Sequence, residues 1–390
     1  MRRWRTPARL SAFAACLLLA GCTTTEATSG DRLVEVDSGN DSCDLSTTEA
    51  AAGTLTFRVR NSGSKVTEFY LLAGDGLRIV GEVENVGPSL TRDLVVSVPD
   101  GGYVTACKPG MRGKGIRGTF TVTPSDEKVP VVGGEAVLVK QANDIYAAYV
   151  EDQSAQLLEK TQRFVELYEA GRDDAARALY PVARTHWERI ETVAESFGDL
   201  DPRMDAREAD LEPGQAWTGW HRIEKDLWPQ RATGYTPLTA AQRSRVARRL
   251  LADTRTLDRR VRKLRYAADE IANGSRGLLE EVATRKVTGE EEYWSRTDLW
   301  DFQANVDGAR VAFEGVRPLV ERRDPSLAKK IAAEFAALQT LLDHHRRGDG
   351  FERYDRLSQV EVKRLSDAVN ALSEPLSRLT AVVVGAEAKD

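Results

Sequence analysis

Residues 137–171 decide the fold class of most of this chain, and they read VLVKQANDIYAAYVEDQSAQLLEKTQRFVELYEAG. Apolar side chains recur in this stretch at intervals of three and four residues, and the pattern stops at Gly171. That spacing places the apolar groups on one face of a helix, which must pack against other helices. The same periodicity predicts further helices over 173–195, 213–228, 238–272, 274–285, 298–321, 325–347 and 354–384. We therefore expect residues 135–390 to form an all-α helical bundle, either single or built from two packed bundles.

The pattern is different before residue 124. Short segments rich in Val, Thr and Phe are separated by Gly, Asn, Ser, Pro and Asp, as in LVEVD (33–37), TLTFRVRN (54–61), DLVVSVP (93–99) and GTFTVTP (118–124). Such segments are typical of β-strands, and their number suits one antiparallel sandwich of about seven or eight strands. We expect this all-β sandwich over residues 31–123. A linker is expected over 124–134, where charge, proline and paired glycine occur.

The first residues indicate export. Four arginines precede an apolar stretch over residues 10–20 that is too short to span a bilayer. The stretch ends in Leu19-Ala20-Gly21-Cys22, which resembles a bacterial lipobox. The pattern predicts a signal peptide over 1–21, lipidation of Cys22, and a polar tether over 22–30. The folded part would then be extracytoplasmic and anchored to the cell membrane, whereas an ordinary signal peptide would leave Cys22 without a role.

The charge of the mature chain argues against one class of partner. Removal of residues 1–21 would take away four arginines and no acidic residue, so the formal net charge would move from −5 to −9. Nucleic acid is therefore not an expected partner, whereas cations suit this balance.

Two cysteines, Cys43 and Cys107, would remain in the mature fold. Outside the cytoplasm such a pair would normally form a disulfide, and a thiolate metal site or a redox-active pair are the alternatives. The small domain contains no histidine, so the His-His-Cys set of a blue-copper protein cannot form there.

One of the four histidines lies in a motif with metal-ligand spacing, Gly-Trp-His221-Arg-Ile-Glu224. A three-residue step puts the imidazole and the carboxylate on one helix face. Glu188 and Glu191 repeat this step on an earlier segment, and Asp205 lies in the acidic stretch between the two. In helical bundles such groups project inward and bind metal ions. The alternative is a set of solvated acids and helix salt bridges.

Two longer segments resemble a known family. They are HWERIETVAESFGDLDPRMDAREADLEPGQAWTGWHRIEKDLW (186–228) and EEYWSRTDLWDFQANVDGA (291–309). Both resemble the imelysin-like domain of periplasmic EfeO proteins, which is also classified as peptidase family M75. The resemblance extends over 135–385, and the preceding sandwich is similar to the cupredoxin-like domain of the same family. It implies capture of iron, as Fe²⁺ or Fe³⁺, beside an EfeU-like membrane permease and an EfeB-like haem peroxidase.

The resemblance also implies a set of site residues. It assigns the metal motif to His221 and Glu224, and the acids expected to complete the site are Glu188, Glu191, Asp205, Asp298 and Asp301. The last two could instead cap a helix or pair with an arginine.

In the small domain the resemblance implies a metal or redox site at Cys43, Glu68 and Cys107. The family pattern has methionine two residues before the second cysteine, where this chain has Thr105, so soft copper ligation is in doubt. Met111 could substitute for it. Iron is the expected metal of the protein, with copper and zinc as alternatives.

Three functions follow from these patterns. The leading expectation is a metal-binding lipoprotein of an iron uptake system, without turnover of its own. The second is an M75-type metallopeptidase, but zinc peptidases usually carry two histidines in H-E-x-x-H or its reversed form, and neither occurs in the sequence. The third is a non-catalytic surface-binding lipoprotein whose acidic groups are solvated.

Overall fold

The computed structural model describes residues 32–77, 79–111, 114–125, 134–211, 214–284 and 286–384. The expected signal peptide, Cys22 and tether lie outside these residues, as does most of the expected linker. Among the helices that are described, none combines the length and the apolar character needed to cross a bilayer.

The first domain is a β-sandwich with a four-stranded sheet of order β2-β1-β4-β7 and a five-stranded sheet of order β3-β9-β8-β5-β6. The strands are β1 Leu33–Ser38, β2 Cys43–Leu45, β3 Glu49–Ala51, β4 Gly53–Asn61, β5 Thr67–Ala73, β6 Ile79–Val86, β7 Thr91–Val98, β8 Gly101–Cys107 and β9 Ile116–Thr123. Strand β4 alternates between buried and more exposed residues, as its sequence predicts. Phe57 from this strand packs against Phe69 and Phe120 at the centre of the sandwich.

The prediction of a purely antiparallel sandwich is wrong in one respect. Strand β1 pairs with β4 in parallel, and β3 pairs with β9 in parallel. Neither pair is joined by a hairpin, so the strands are free to run in the same direction. The described residues contain nine strands in this domain rather than seven or eight, because β2 and β3 have three residues each.

The second domain is helical. Its α-helices are α1 Glu135–Glu169, α2 Asp173–Glu188, α3 Asp201–Met204, α4 Trp220–Leu227, α5 Ala240–Val261, α6 Ala268–Thr284, α7 Asp298–Arg323, α8 Pro325–His344, α9 Gln359–Leu376 and α10 Leu379–Val384. A 3₁₀ segment, Glu191–Leu200, joins α2 to α3. A short hairpin of β10 Arg346–Arg347 and β11 Gly350–Phe351 follows α8.

Several predicted helices are shorter or divided. The helix predicted over 238–272 is two helices, since α5 ends at Val261 and the Glu270 carboxylate accepts the Ala267 N–H at the start of α6. The helix predicted over 213–228 begins only at Trp220. A side-chain cap, or a contact with another part of the fold, sets where these helices begin and end. Apolar periodicity in the sequence reveals neither.

Two apolar cores fill the helical domain. One is built mainly on α1, α2, α4 and α5, and the other on α6, α7, α8 and α9. Helices α1 and α7 contribute to both, so the domain consists of two joined bundles. The start of α7 and the segment before it approach α2 and α4 where the bundles meet.

Candidate metal centre

His221 lies in the first turn of α4, and the backbone before it is unusually close to α3. Gly219 has a φ of +90°, and a Cβ at this position would lie 2.1 Å from the Met204 carbonyl oxygen. Only glycine permits this approach. The contact holds the start of α4 beside Asp205, which follows α3 directly.

The His-x-x-Glu step has the geometry that the sequence predicts. His221 and Glu224 are both fully buried, and His221 Nδ1 lies 3.2 Å from Glu224 Oε2. The other ring nitrogen, Nε2, lies 3.5 Å from Asp205 Oδ1 and 3.5 Å from Glu291 Oε1. Glu292 Oε1 is 4.0 Å from Nδ1. We call His221 with Asp205, Glu224, Glu291 and Glu292 the His221 cluster.

The distances within the His221 cluster are short enough for shared ligation. One ligand atom each from Asp205, His221 and Glu291 lie within 4.8 Å of one another, and the same holds for His221, Glu224 and Glu292. Carboxylate oxygens with one imidazole nitrogen are donors that suit ferrous and ferric iron.

A loop held by Glu224 brings Glu291 and Glu292 to this position. Glu224 Oε1 accepts the backbone N–H groups of Trp294 and Ser295 at 2.8 and 2.6 Å. The Ser295 hydroxyl donates to Glu292 Oε2 at 2.6 Å. The helix with the histidine and the loop with the two acids are thus joined through one carboxylate.

A buried arginine lies among these acids. Arg184 on α2 has no exposed surface, and its guanidinium pairs with Glu188 and Asp205. It also lies 2.6 Å from Glu292, 3.5 Å from Asp301 and 3.7 Å from Glu291. Sequence reasoning missed this residue, because an Arg four positions before a Glu on a helix is usually a solvated pair.

Glu188 and Glu191 are placed around a lysine instead of His221. Lys286 Nζ donates to Glu188 Oε2 at 2.7 Å and to Glu191 Oε2 at 2.6 Å. The Asn305 amide donates to the same two oxygens at 3.0 and 2.9 Å. We call these four residues the Lys286 cluster. Neither glutamate belongs to the groups that surround His221.

Asp298 and Asp301 are buried beside the His221 cluster, and they are not among its grouped ligand atoms. Asp298 Oδ1 accepts the backbone N–H of Glu292 at 3.1 Å and so shapes the loop. Asp301 is near Arg184, one of the two alternatives that the sequence left open. Of the seven predicted ligands, the structure therefore brings together His221, Glu224 and Asp205.

The buried charges shift pKa values in both directions. Burial and the Arg184 charge lower the pKa of His221, but hydrogen bonds to Glu224 and Glu291 and the Asp205 charge outweigh them and raise it to about 10. Burial opposes ionisation of Glu291, yet Lys286, His221 and Arg184 hold its pKa well below the usual range. Burial and the neighbouring Glu224 charge raise the pKa of Glu292 well above normal. The negative charge of this cluster is thus compensated partly by bound protons and partly by the cationic side chains of Arg184 and Lys286.

Burial, with smaller contributions from the Glu224 and Glu291 charges, likewise raises the pKa of Asp298 to about 7. Burial and the charges of Glu188 and Glu292 raise that of Asp301 well above its ordinary value, against the influence of Arg184.

A cavity of about 980 Å³ adjoins the His221 cluster. Asp205 and Glu291 line it, so two of the candidate ligands face its interior. Its other acidic residues are Glu191, Asp201, Asp210 and Glu270, against one basic residue, Arg207. A cavity with this charge balance concentrates cations near the ligands.

In the small domain Cys43 and Cys107 form a disulfide, with their Cα atoms 5.6 Å apart. Of the alternatives that the sequence left open, the structure has the bridge, and bridged sulfurs are not thiolate ligands. Glu68 is not brought together with them. Phe69 and Cys107 belong to the sandwich core, whereas Glu68 accepts a hydrogen bond from Tyr70 and lines a cavity between the sandwich and α1. Successive residues of a strand point to opposite faces.

Two residues of the His221 cluster were missed by sequence reasoning. Glu291 and Glu292 lie in a run of three glutamates at the start of the second segment that carries the family resemblance. That run was the available signal. It does not say which of three successive acids points inward, because a turn outside regular structure has no fixed side-chain period.

Comparison with known proteins agrees with both domains. The family model for imelysin, Peptidase M75, matches residues 142–379, and the model for the cupredoxin-like domain matches residues 11–122. The chain is 36% identical over 354 residues to the iron uptake system component EfeO of Yersinia pestis, covering 90% of this chain and 91% of that protein. It is 34% identical over 356 residues to EfeO of Escherichia coli strain K12, again covering 90% and 91%.

Among solved structures, dithionite-reduced auracyanin from Roseiflexus castenholzii aligns at 19% identity with a TM-score of 0.21. The alignment covers 24% of this chain and 98% of that one.

Proposed function

The chain belongs to the EfeO family of iron uptake system components, and on this premise we propose that it captures iron at the His221 cluster and passes it to a membrane permease. Iron is the cargo in this proposal. The single observation that supports it most strongly is the convergence of four carboxylates on one buried imidazole, with distances of 3.2 to 4.0 Å. Buried acids in this number repel one another unless protons or cations neutralise them.

Delivery also requires release, and the acid-lined cavity supports both steps. Asp205 and Glu291 face it, so an ion bound to them would have a direct path to the cavity. A cargo site should exchange its ion, whereas a structural metal site is usually closed.

We propose that the protein has no turnover of its own. A zinc peptidase of the common types needs a second histidine near the first. Among the described residues, the other three histidines contact other partners: His186 contacts Gln153, His344 contacts the Thr340 carbonyl oxygen and His345 contacts Glu352. None of them joins the His221 cluster.

We infer that the protein lies in the cell envelope. Lipidation of Cys22 would anchor it to the membrane, an EfeU-like permease would receive the iron, and an EfeB-like haem peroxidase would be a second partner. Copper and zinc remain alternative ions for the same donors.

The test is anaerobic Fe²⁺ binding by the mature chain, measured by equilibrium dialysis. His221→Ala should lower the affinity at least about a hundredfold, since it removes the donor shared by both ligand groups. His345→Ala is the matched control, because His345 is also buried and also paired with a glutamate. Its Kd should equal that of the parent. If His221→Ala binds Fe²⁺ as tightly as the parent, iron is bound elsewhere and the proposed site is wrong.

A further inference from the structure

Arg184 contacts the same oxygen atoms that face His221. Asp205 Oδ1 accepts a hydrogen bond from the Arg184 guanidinium and lies 3.5 Å from His221 Nε2. Glu291 Oε1 is 3.7 Å from Arg184 and 3.5 Å from Nε2. Glu292 Oε1 is 2.6 Å from Arg184 and 4.0 Å from Nδ1. Three oxygens are thus shared between the imidazole and the guanidinium.

We propose that Arg184 is a built-in competitor of the metal ion, which binds the ligand oxygens and so keeps the affinity low enough for release. This inference rests on the proposed function, because it concerns the regulation of that same site. A guanidinium that binds a carboxylate oxygen occupies the space through which a metal ion would approach that oxygen. Its positive charge also repels a cation nearby.

The arginine is a permanent competitor. A guanidinium keeps its proton throughout the physiological range, so pH cannot remove its charge. Arg184 has no exposed surface, and its pairing with Glu188 and Asp205 holds it beside the ligands. An ion must therefore attract these oxygens more strongly than Arg184 does.

A purely structural role predicts the opposite effect on binding. If Arg184 only held the acids in position, its removal would let them move apart, and metal affinity would fall. If it competes for their oxygens, its removal frees them, and metal affinity rises. The sign of the change separates the two roles.

The experiment compares Arg184→Met with Arg184→Lys by anaerobic Fe²⁺ equilibrium dialysis of the mature chain. Methionine keeps much of the side-chain volume without the charge, and we expect Kd to fall about tenfold or more. Lysine keeps the charge but not the planar fork of donors, so its Kd should lie between those of the parent and Arg184→Met. An unchanged or higher Kd for Arg184→Met would overturn the proposal.

Stability provides a second readout if Arg184→Met folds poorly without metal. Urea unfolding with and without Fe²⁺ should show a larger iron-induced stabilisation than in the parent, because a ligand that binds only the folded state stabilises it in proportion to its affinity. Failure to fold at any Fe²⁺ concentration would contradict the competitor role. The His221→Ala result separates the two hypotheses. If that variant loses iron while Arg184→Met gains none, only this inference fails.

Discussion

The His221 cluster and the Lys286 cluster lie side by side, and the negative charge of their buried carboxylates is compensated in different ways. In the Lys286 cluster two carboxylates receive hydrogen bonds from one lysine and one amide, at 2.6 to 3.0 Å. In the His221 cluster four carboxylates surround one imidazole, and three of them also contact one arginine. In the first cluster, donors of the chain itself bind both carboxylates. In the second, Asp205 and Glu291 line the acidic cavity, where an external cation can reach them.

The two clusters differ although each contains a three-residue step. The His-x-x-Glu pair forms a candidate metal site, whereas the Glu-x-x-Glu pair binds a lysine. His221 and Glu224 share one face of α4, whereas Glu188 ends α2 and Glu191 begins the 3₁₀ segment after it. The residue across from them decides the outcome, since Lys286 faces the Glu188 pair and the loop with Glu291 and Glu292 faces the His221 pair.

The largest expected effect is on the Lys286 cluster. Lys286→Met should lower the free energy of unfolding by about 3 to 5 kcal/mol, because it removes the cation that binds Glu191 and leaves Arg184 to compensate Glu188. The measurement is urea unfolding at neutral pH. Lys330→Met is the matched control, since Lys330 forms an exposed pair with Glu374 and its loss should cost below about 1 kcal/mol. If both variants lost the same free energy of unfolding, Lys286 would not be what stabilises its cluster.

The next effect compares one glutamate from each cluster. Glu291→Gln should weaken Fe²⁺ binding about a hundredfold, because it removes a charged donor 3.5 Å from His221 Nε2. Glu191→Gln should change Kd less than about threefold, since its carboxylate is bound by Lys286 and Asn305. Equilibrium dialysis of both variants decides this. A larger loss for Glu191→Gln would mean that the ion binds in the Lys286 cluster.

The smallest effect is that of a one-unit change in pH. His221 has a pKa of about 10, so below that pH it carries a proton that must leave before the nitrogen can bind a metal ion. The raised pKa of Glu292 acts in the same direction. Apparent Kd for Fe²⁺ should therefore rise at least about tenfold for each unit of acidification between pH 8 and pH 6.

Calorimetry in buffers of different ionisation enthalpy should detect the released proton. Glu191→Gln should keep the same pH slope as the parent, because its carboxylate lies in the other cluster. A flat pH profile for the parent would show that His221 is not a ligand.

The sequence predicts much of the architecture because side-chain periodicity follows directly from helix and strand geometry. The sandwich, the helical domain and the contact of His221 with Glu224 are all local patterns of this kind. Asp205 was predicted from the acidic loop and the family resemblance. The cations were not predicted, since Arg184 and Lys286 look like ordinary surface residues until the chain folds over them. Their burial is a property of tertiary packing, and no short motif records it.

Gly219 makes the site vulnerable to a change that touches no ligand. A single methyl group at this position would collide with the Met204 carbonyl oxygen at 2.1 Å, and the φ of +90° disfavours any other residue. The start of α4 would have to move away from α3, and His221 would separate from Asp205 while every donor atom remained in the sequence. A homologue could therefore carry the full set of ligands and still have lost the site. Glycine before Trp-His-x-x-Glu is accordingly part of the centre although it donates no atom to it.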